Sequence, residues 1–261
     1  MHLGVIVCVR DRERNTALLA EGLHRALVGK VRYTMWAIEQ ADARPFNRGA
    51  LLNAGFILAE AAGVDVFALQ DVDFVPLPSS AHLYLVPLGQ GPRHLLGRVD
   101  SAGGAVLFSR EQYRLANGYP NGFWGWGFED HDLLNRLEVV GLNFDRRHWI
   151  EANCDFTCFH GFTQLSDCSG THGNRAGCGD VTNAQRMHKK KAQQDNKVRF
   201  LAAREPSNGD NDSLQPQRLP RTLACGVDNL EFSLVATPTS CGRQCLRVPV
   251  LLGDHEWGEV L

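Results

Sequence analysis

The chain has 261 residues, is 44% hydrophobic and carries a formal net charge of −2. That is enough apolar material for one large core and too little positive charge for a dedicated nucleic-acid binder. No apolar run approaches the ~20 residues that span a bilayer, and Leu3 to Val9 is too short for a signal core, so no membrane contact by this chain itself is expected. Eight cysteines, seven of them beyond residue 150, permit disulfides or a reduced or metal-binding cluster, and spacing does not choose among them.

In chain order, LGVIVCV (Leu3 to Val9) has the length of a buried strand. RERNTALLAEGLHRALVG follows, with Leu18, Leu19, Leu23, Ala26 and Leu27 on one helical face and a stop at Gly29. VRYTMWAI (Val31 to Ile38) reads as a second strand and RGALLNAGFILAEAAG (Arg48 to Gly63) as a helix closing on glycine. DVFALQ (Asp65 to Gln70) is a third strand that runs straight into Asp71-Val72-Asp73. AGGAVLF (Ala102 to Phe108) is a fourth, followed by a helix with Ser109 as N-cap and Gly118 as stop. DLLNRLEVVG (Asp132 to Gly141) is amphipathic.

From Phe162 to Asn183 the composition turns to Gly, Ser, Thr, Asn and Cys with little periodicity, a long loop of the kind that is often an active-site lid or disordered. HKKK (His188 to Lys191) reads as a solvated helix face, and LEFSLVAT (Leu230 to Thr237) as a late strand. Asn211-Asp212-Ser213 is a formal glycosylation sequon of a kind that arises often by chance. The alternation predicts an α/β fold with a mainly parallel central sheet in a single domain, residues 205–261 forming a linker and a C-terminal strand segment packed on the same domain.

Ligands of open α/β sheets bind beyond the carboxyl ends of the strands. Arg10, Arg12, Asp71 and Asp73 fall at that edge, and no GxGxxG follows the first strand. Asp71 and Asp73 concentrate charge in a way that suits a hard divalent cation bridging a diphosphate; the plain alternative is a pair of turn-capping acids before Pro76. Arg10, Arg12 and Arg48, the last at a helix start, suit diphosphate oxygens, or else surface pairing with Asp11, Glu13 or Asp42. GFWGWGFEDHD (Gly122 to Asp132) sets two indoles on glycine turns before a run of acids. Helix-starting acids are stabilised by the macrodipole, which accounts for the carboxylates but not the tryptophans. An exposed indole beside a carboxylate is suited to a sugar, the ring packing on its C–H face, and an ionised carboxylate there can serve as general base on a hydroxyl.

Taken together, FNRGALLNAGF, QDVDFVPL, GGAVLFSREQYRLANGYPNGFWGWGFEDHDLLNRL and a trailing His resemble the catalytic domain of the β-1,4-galactosyltransferases, inverting enzymes with a GT-A nucleotide-sugar-binding fold. The resemblance runs in order from about Val5 to His160 and more faintly through NDSLQPQRLPRTLACGVDNLEFSLVATP. It implies a catalytic domain over 1–204 with a flexible lid at about 161–183, Mn2+ as cofactor, a UDP-sugar donor and a saccharide or glycoconjugate acceptor. It implies that Arg10, Arg12, Phe46, Arg48, Asp71, Ser101, Gly103 and Gly104 hold the donor, with Asp71 on uridine or ribose. Asp73 and His160 would ligate the metal, with Cys158 as a further candidate ligand. Trp126, Glu129 and His131 would bind the acceptor, and Asp130 would be the catalytic base. Family members act in the Golgi lumen behind an N-terminal anchor.

Three positions depart from the family pattern. His131 stands where the family has an acid after the base, Ser101 stands where it has an aromatic residue near the donor sugar's C2 substituent, and DFTCFHGF replaces its usual second metal-binding pattern. The resemblance therefore implies β-1,4-galactosyl transfer from UDP-Gal, with UDP-GalNAc as an alternative donor. A non-catalytic sugar-binding module on the same scaffold and a retaining hexosaminyltransferase are the rival readings. A zinc knuckle formed by Cys154, Cys158, His160, Cys168, His172 and Cys178 lacks any compact C-x2-C pair.

Overall fold

A computed structural model of the chain describes residues 1–85, 87–151, 158–159, 161–165, 183–204, 223 and 225–254. Its centre is strand β1 (His2–Val9), buried at all eight positions as befits a strand covered on both faces. Alternate side chains divide the core: Leu3, Val5, Val7 and Val9 face helix α1 (Glu13–Leu27), while Ile6 and Cys8 face helix α2 (Arg48–Ala61). Strands β2 (Arg32–Gln40) and β3 (Val66–Gln70) flank β1 in parallel, as the alternating pattern predicts. Strand β4 (Phe74–Pro76) follows β3, and helix α3 (Ala81–Leu85) follows in turn.

Strands β5 (Arg93–Gly97) and β6 (Ala105–Ser109) extend the sheet beyond β3, β6 antiparallel to both its neighbours. Helix α4 (Arg110–Leu115) begins on the predicted Ser109 cap, closed reciprocally by Gln112. Helix α5 (Glu129–Val139) starts at the acids of the glycine-tryptophan motif, and β7 (Ile150–Glu151) pairs with β5. Strands β8 (Cys158–Phe159) and β9 (Phe162–Gln164) form a hairpin whose second strand pairs with β4. The aperiodic stretch expected to be loop from Phe162 thus opens with a strand, because pairing to β4 supplies its backbone partners. Residues 166–182, and with them most of the expected lid, lie outside the described residues. Helix α6 (Asn183–Arg204) carries the HKKK segment.

The C-terminal segment enters the same sheet. Strand β12 (Cys245–Leu252) pairs in parallel with β2, from Cys245 opposite Met35 to Val250 opposite Gln40. Strands β10 (Phe232–Leu234) and β11 (Thr239–Gly242) lie antiparallel to β12, and a Cys241–Cys245 disulfide ties the β11–β12 hairpin. The late strand expected over Leu230 to Thr237 is therefore short, and the longer β12 is the one that joins the sheet. Pro249 interrupts its run, which weakens the strand signal in sequence. Cys8 and Cys225 are free thiols, and the sequon at Asn211 lies outside the described residues. Among the described residues no helix is long and apolar enough to cross a membrane.

Buried asparagines join the layers. Fully buried Asn53 of α2 accepts from the Tyr113 hydroxyl at 2.6 Å and Tyr119 N at 3.0 Å, and donates to Tyr119 O at 2.7 Å and Asn121 Oδ1 at 2.8 Å. Asn121 donates in turn to Gly226 O at 2.7 Å, and Asn47, the cap of α2, donates to Asn121 O at 2.6 Å. This network carries α2, the segment leading into the glycine-tryptophan motif and the C-terminal segment as one body. Asn53→Ala strands four buried partners, so unfolding in urea should show a loss of about 3 kcal/mol or more. A loss below about 1 kcal/mol would mean that water replaces the amide.

Candidate active site

The carboxyl ends of β1 and β3, the start of α2 and the start of α5 converge on one edge of the sheet. Arg48, the first residue of α2, is largely buried and donates from Nε and Nη2 to Asp71 Oδ1 at 2.9 and 2.7 Å. Its Nη1 lies 3.7 Å from Glu129 Oε1, and the guanidinium sits 5.3 Å from the centre of the Tyr119 ring. Asp71 Oδ2 accepts from Gly104 N at 3.1 Å, while Asp71 N donates to Gly104 O at 2.8 Å. Gly104 has φ +85°, and an ideal Cβ there would fall 2.1 Å from Leu96 O, so only glycine makes this turn.

Arg10 donates to Arg44 O at 2.8 Å, lies over the Phe46 ring at 5.5 Å and stands 4.0 Å from Asp42. Arg12 reaches Asp73 at 3.6 Å, and Asn15 donates to the same Asp73 oxygen at 2.7 Å. Arg12 and Arg48 thus pair with the carboxylates of the edge itself, whereas Arg10 stands beside Asp42, one of the acids of the alternative reading. Among the described residues, Arg10 Nε and Nη2 and Arg48 Nη1 are nonetheless buried without a hydrogen-bond partner, which suits an anion. Asp73 offers the hard oxygen donors that Mn2+ favours. Among the described residues no group of three His, Cys, Asp or Glu side chains gathers around a point. His160 lies outside the described residues, and Cys158 is placed by its backbone in β8. Leu165, the residue after β9, donates from its N to Asp73 O at 2.8 Å, whereas Gly161 at the hairpin turn accepts from Leu77 N at 2.7 Å.

The glycine-tryptophan motif supplies the third side. Gly125 and Gly127 have φ +84° and +98°, as the sequence anticipates, and Phe128 also adopts the left-handed region at +73°. Gly125 N donates to Phe46 O at 2.8 Å, fastening the motif to the α2 entry. Trp126 is 41% exposed, and Lys189 of α6 places its Nζ 4.2 Å from the ring centre. Lys189 therefore departs from the solvated-face expectation for HKKK, while its neighbours His188, Lys190 and Lys191 are exposed. Asn196 of α6 donates to Trp124 O at 3.2 Å and Gly127 O at 3.0 Å, and Arg199 donates to Gly122 O.

The first turn of α5 separates its acids electrostatically. Burial, together with the neighbouring Asp130 charge and against the pull of Arg48, raises Glu129 to about 7. Burial pushes Asp130 up as well, but the hydrogen bond and charge of His131, helped by Arg48, hold it below its ordinary value. His131 Nδ1 lies 2.9 Å from Asp130 Oδ1, and that bond raises the imidazole above its ordinary value. Asp130 Oδ2 faces Gly103, where an ideal Cβ would stand 3.2 Å from it. Ser101 is buried, and its Oγ accepts from Gly103 N at 3.2 Å.

The structure adds residues that sequence reasoning missed. His94 is fully buried and driven by burial down to about 4, so its ring is neutral. Its Nε2 lies 3.1 Å from Gly103 O, and Arg146 Nε donates to its Nδ1 at 3.2 Å, which assigns the Nε2–H tautomer and braces the glycine turn from behind. Asn15, His94 and Asn196 are single polar residues within apolar or helical stretches, and nothing in their local pattern distinguishes them.

Two family models match the chain: the N-terminal region of glycosyl transferase group 7 over residues 1–85 and the N-terminal domain of galactosyltransferase over residues 97–160. The chain belongs to the β-1,4-galactosyltransferase family. Mouse β-1,4-galactosyltransferase 2 is 36% identical over 157 residues, covering 55% of this chain and 42% of the mouse protein. Human β-1,4-galactosyltransferase 4 is 35% identical over 156 residues, covering 55% of this chain and 44% of the human protein. The chain thus spans less than half the length of these relatives. The catalytic domain of Drosophila β-1,4-galactosyltransferase 7, crystallised with xylobiose, superposes with a TM-score of 0.65 at 21% identity, covering 97% of this chain and 95% of that one. A mutant of the fly enzyme in complex with manganese, UDP-Gal and xylobiose gives 0.66 at 20% identity, with the same coverage. The likeness extends over the whole fold and agrees with the expected GT-A class.

Glu129 makes stability depend on pH. Its folded-state value of about 7 exceeds the ordinary 4.5, so the native state keeps a proton that the unfolded chain gives up between these values. The resulting stabilisation is complete below pH 4.5 and is lost as pH rises through about 7. In metal-free buffer, the Tm of the parent should fall relative to that of Glu129→Gln across this window. Parallel Tm curves for the two proteins would show that Glu129 titrates as an ordinary carboxyl.

Proposed function

We propose that this chain is the catalytic unit of an inverting β-1,4-galactosyltransferase that moves galactose from UDP-Gal to a hydroxyl of a saccharide or glycoconjugate acceptor. The observation that carries the reading is the pairing of an ionised Asp130, one oxygen facing Gly103, with buried donors of Arg10 and Arg48 that make no hydrogen bond among the described residues at the same edge. The first is what a general base needs and the second is what a diphosphate leaving group needs.

In this reading Arg10, Arg12 and Arg48 bind the diphosphate, Phe46 packs beside it and Asp71 binds the uridine or ribose. Ser101, Gly103 and Gly104 border the transferred sugar. Trp126 packs on acceptor rings, and Glu129 and His131 bind acceptor hydroxyls. Asp130 takes the hydroxyl proton while the acceptor oxygen forms its bond to the anomeric carbon, and the bond to UDP breaks with its electron pair leaving on the diphosphate. Attack and departure on opposite faces invert the configuration. Mn2+ held by Asp73, with His160 and Cys158 as its remaining candidate ligands, would offset negative charge on the leaving group.

Ser101 supports a wider donor choice. Its side chain is smaller than the aromatic ring of the family pattern and is turned toward Gly103, so UDP-GalNAc should be accepted beside UDP-Gal.

Transfer assays with Mn2+ and small saccharide acceptors test the reading. Asp130→Asn should lower kcat by about 10²–10⁴ with little change in KM for UDP-Gal, and chelation should abolish turnover. Metal-dependent turnover absent from the parent under all donors would make the chain a sugar-binding module instead, and retention of configuration in the product would exclude the inverting mechanism. Ser101→Tyr should narrow the donors to UDP-Gal; a parent already strict for UDP-Gal would refute the wider choice.

A further inference from the structure

His131 occupies the position after the proposed base, and its surroundings give it a task that an acidic side chain there cannot perform. Its backbone N donates to Asp130 Oδ1 at 3.0 Å and its ring Nδ1 lies 2.9 Å from the same oxygen. Both bonds fall on Oδ1, so Oδ2, on the Gly103 side, is the oxygen left to meet a hydroxyl.

The imidazole is held in turn. Its ring centre is 5.3 Å from that of Phe128 and 6.3 Å, edge-on, from that of Phe200 on α6, and Phe128 and Phe200 are 5.5 Å apart. The charged groups around this cluster are Asp130 and Glu129 on α5 and Asp100 on the segment before Ser101, all of which favour a charged imidazole. The charge of Arg48 on α2 also acts on Asp130, and Lys190 and Lys197 of α6 border the cavity beside Phe128.

We propose that His131 is a positioning residue for Asp130: its Nδ1–H pins Oδ1 and presents Oδ2 to the acceptor hydroxyl, while Phe200 fixes the ring, so the seating of α6 sets the geometry of the base. The inference rests on Asp130 being that base. An acid at position 131 would carry no ring N–H and would repel Asp130, whereas the imidazole holds it ionised and in one orientation.

The test compares the parent with His131→Phe, His131→Asn and Phe200→Ala, each checked for folding by its thermal melt. His131→Phe keeps the aromatic packing but removes the donor. Its kcat should fall about tenfold or more, with KM for UDP-Gal unchanged, and the acid limb of its kcat–pH profile should move up by about one unit. His131→Asn places an amide N–H where Nδ1 stood and should recover most of the loss. Phe200→Ala should give a smaller shift in the same direction. A His131→Phe protein with the parent's kcat and pH profile would overturn the proposal.

A second readout needs no turnover. The His131 Cε1–H resonance should titrate above the ordinary imidazole range in the parent and return toward it in Asp130→Asn; identical titrations would overturn the proposal by themselves. Undiminished kcat in Asp130→Asn would instead defeat the base assignment, while the titration still decides whether the pair exists.

Discussion

One largely buried guanidinium makes the site possible. Asp71, at the end of β3, and Glu129 and Asp130, both in the first turn of α5, meet at one edge, and three carboxylates with so little water around them would not remain together without a cation. Arg48 meets that need at the first residue of α2, where the chain emerges from the Asn47 cap with its side chain turned across the end of β3. A lysine could not replace it. The planar fork spans Asp71 and Glu129 while its face rests on Tyr119, a set of contacts that a single ammonium on a flexible stem does not offer. From Asp71 the constraint passes to Gly104, and from Glu129 to the first turn of α5.

The same cation explains why two adjacent acids behave differently. Glu129 is pushed toward its neutral form by burial, and Asp130, next in sequence, is kept ionised because His131 adds a hydrogen-bond donor and a favourable charge to that of Arg48. Environments that drive neighbouring titratable groups apart are how acid and base tasks are assigned near neutral pH. Here the difference arises from a single residue of helical rotation: position 129 faces the α2 guanidinium, and position 130 faces the glycine turn.

How much of this could be read from the sequence depends on range. Strand β1, helices α1 and α2, the Ser109 cap and the start of α5 announce themselves through local periodicity and end signals, and they are found where expected. Arg48, Asp71 and Asp130 could be singled out because each lies at the end of such an element. The insertion of β12 beside β2 could not, since it joins residues some two hundred positions apart and carries a proline in its run. Nor could the tasks of Asn53, Asn121 and His94, because a buried polar residue is specified by partners elsewhere in the chain and leaves no periodic trace. Departures from the family pattern behaved differently: His131 was visible as an oddity in sequence, and only geometry gives it a partner.

The outer wall of the site follows from backbone cost. Gly125, Gly127 and Phe128 place three of four consecutive residues in the left-handed region, and for Phe128 that conformation costs roughly 1–2 kcal/mol. Such a turn persists only where its surroundings hold it. Phe46 holds it from inside through Gly125, and α6 holds it from outside through Asn196 and Arg199, which engage carbonyls at Gly122, Trp124 and Gly127. Helix α6 must therefore stay docked for the motif to keep its shape, which brings Lys189 over Trp126 as a consequence of docking. A partly exposed cation–π contact is worth about 0.5–1 kcal/mol, a small fraction of the ~8 kcal/mol of a micromolar ligand, so this cover yields readily to a ring packing on the indole. The helix that keeps the turn in place thus leaves the indole face available at little cost.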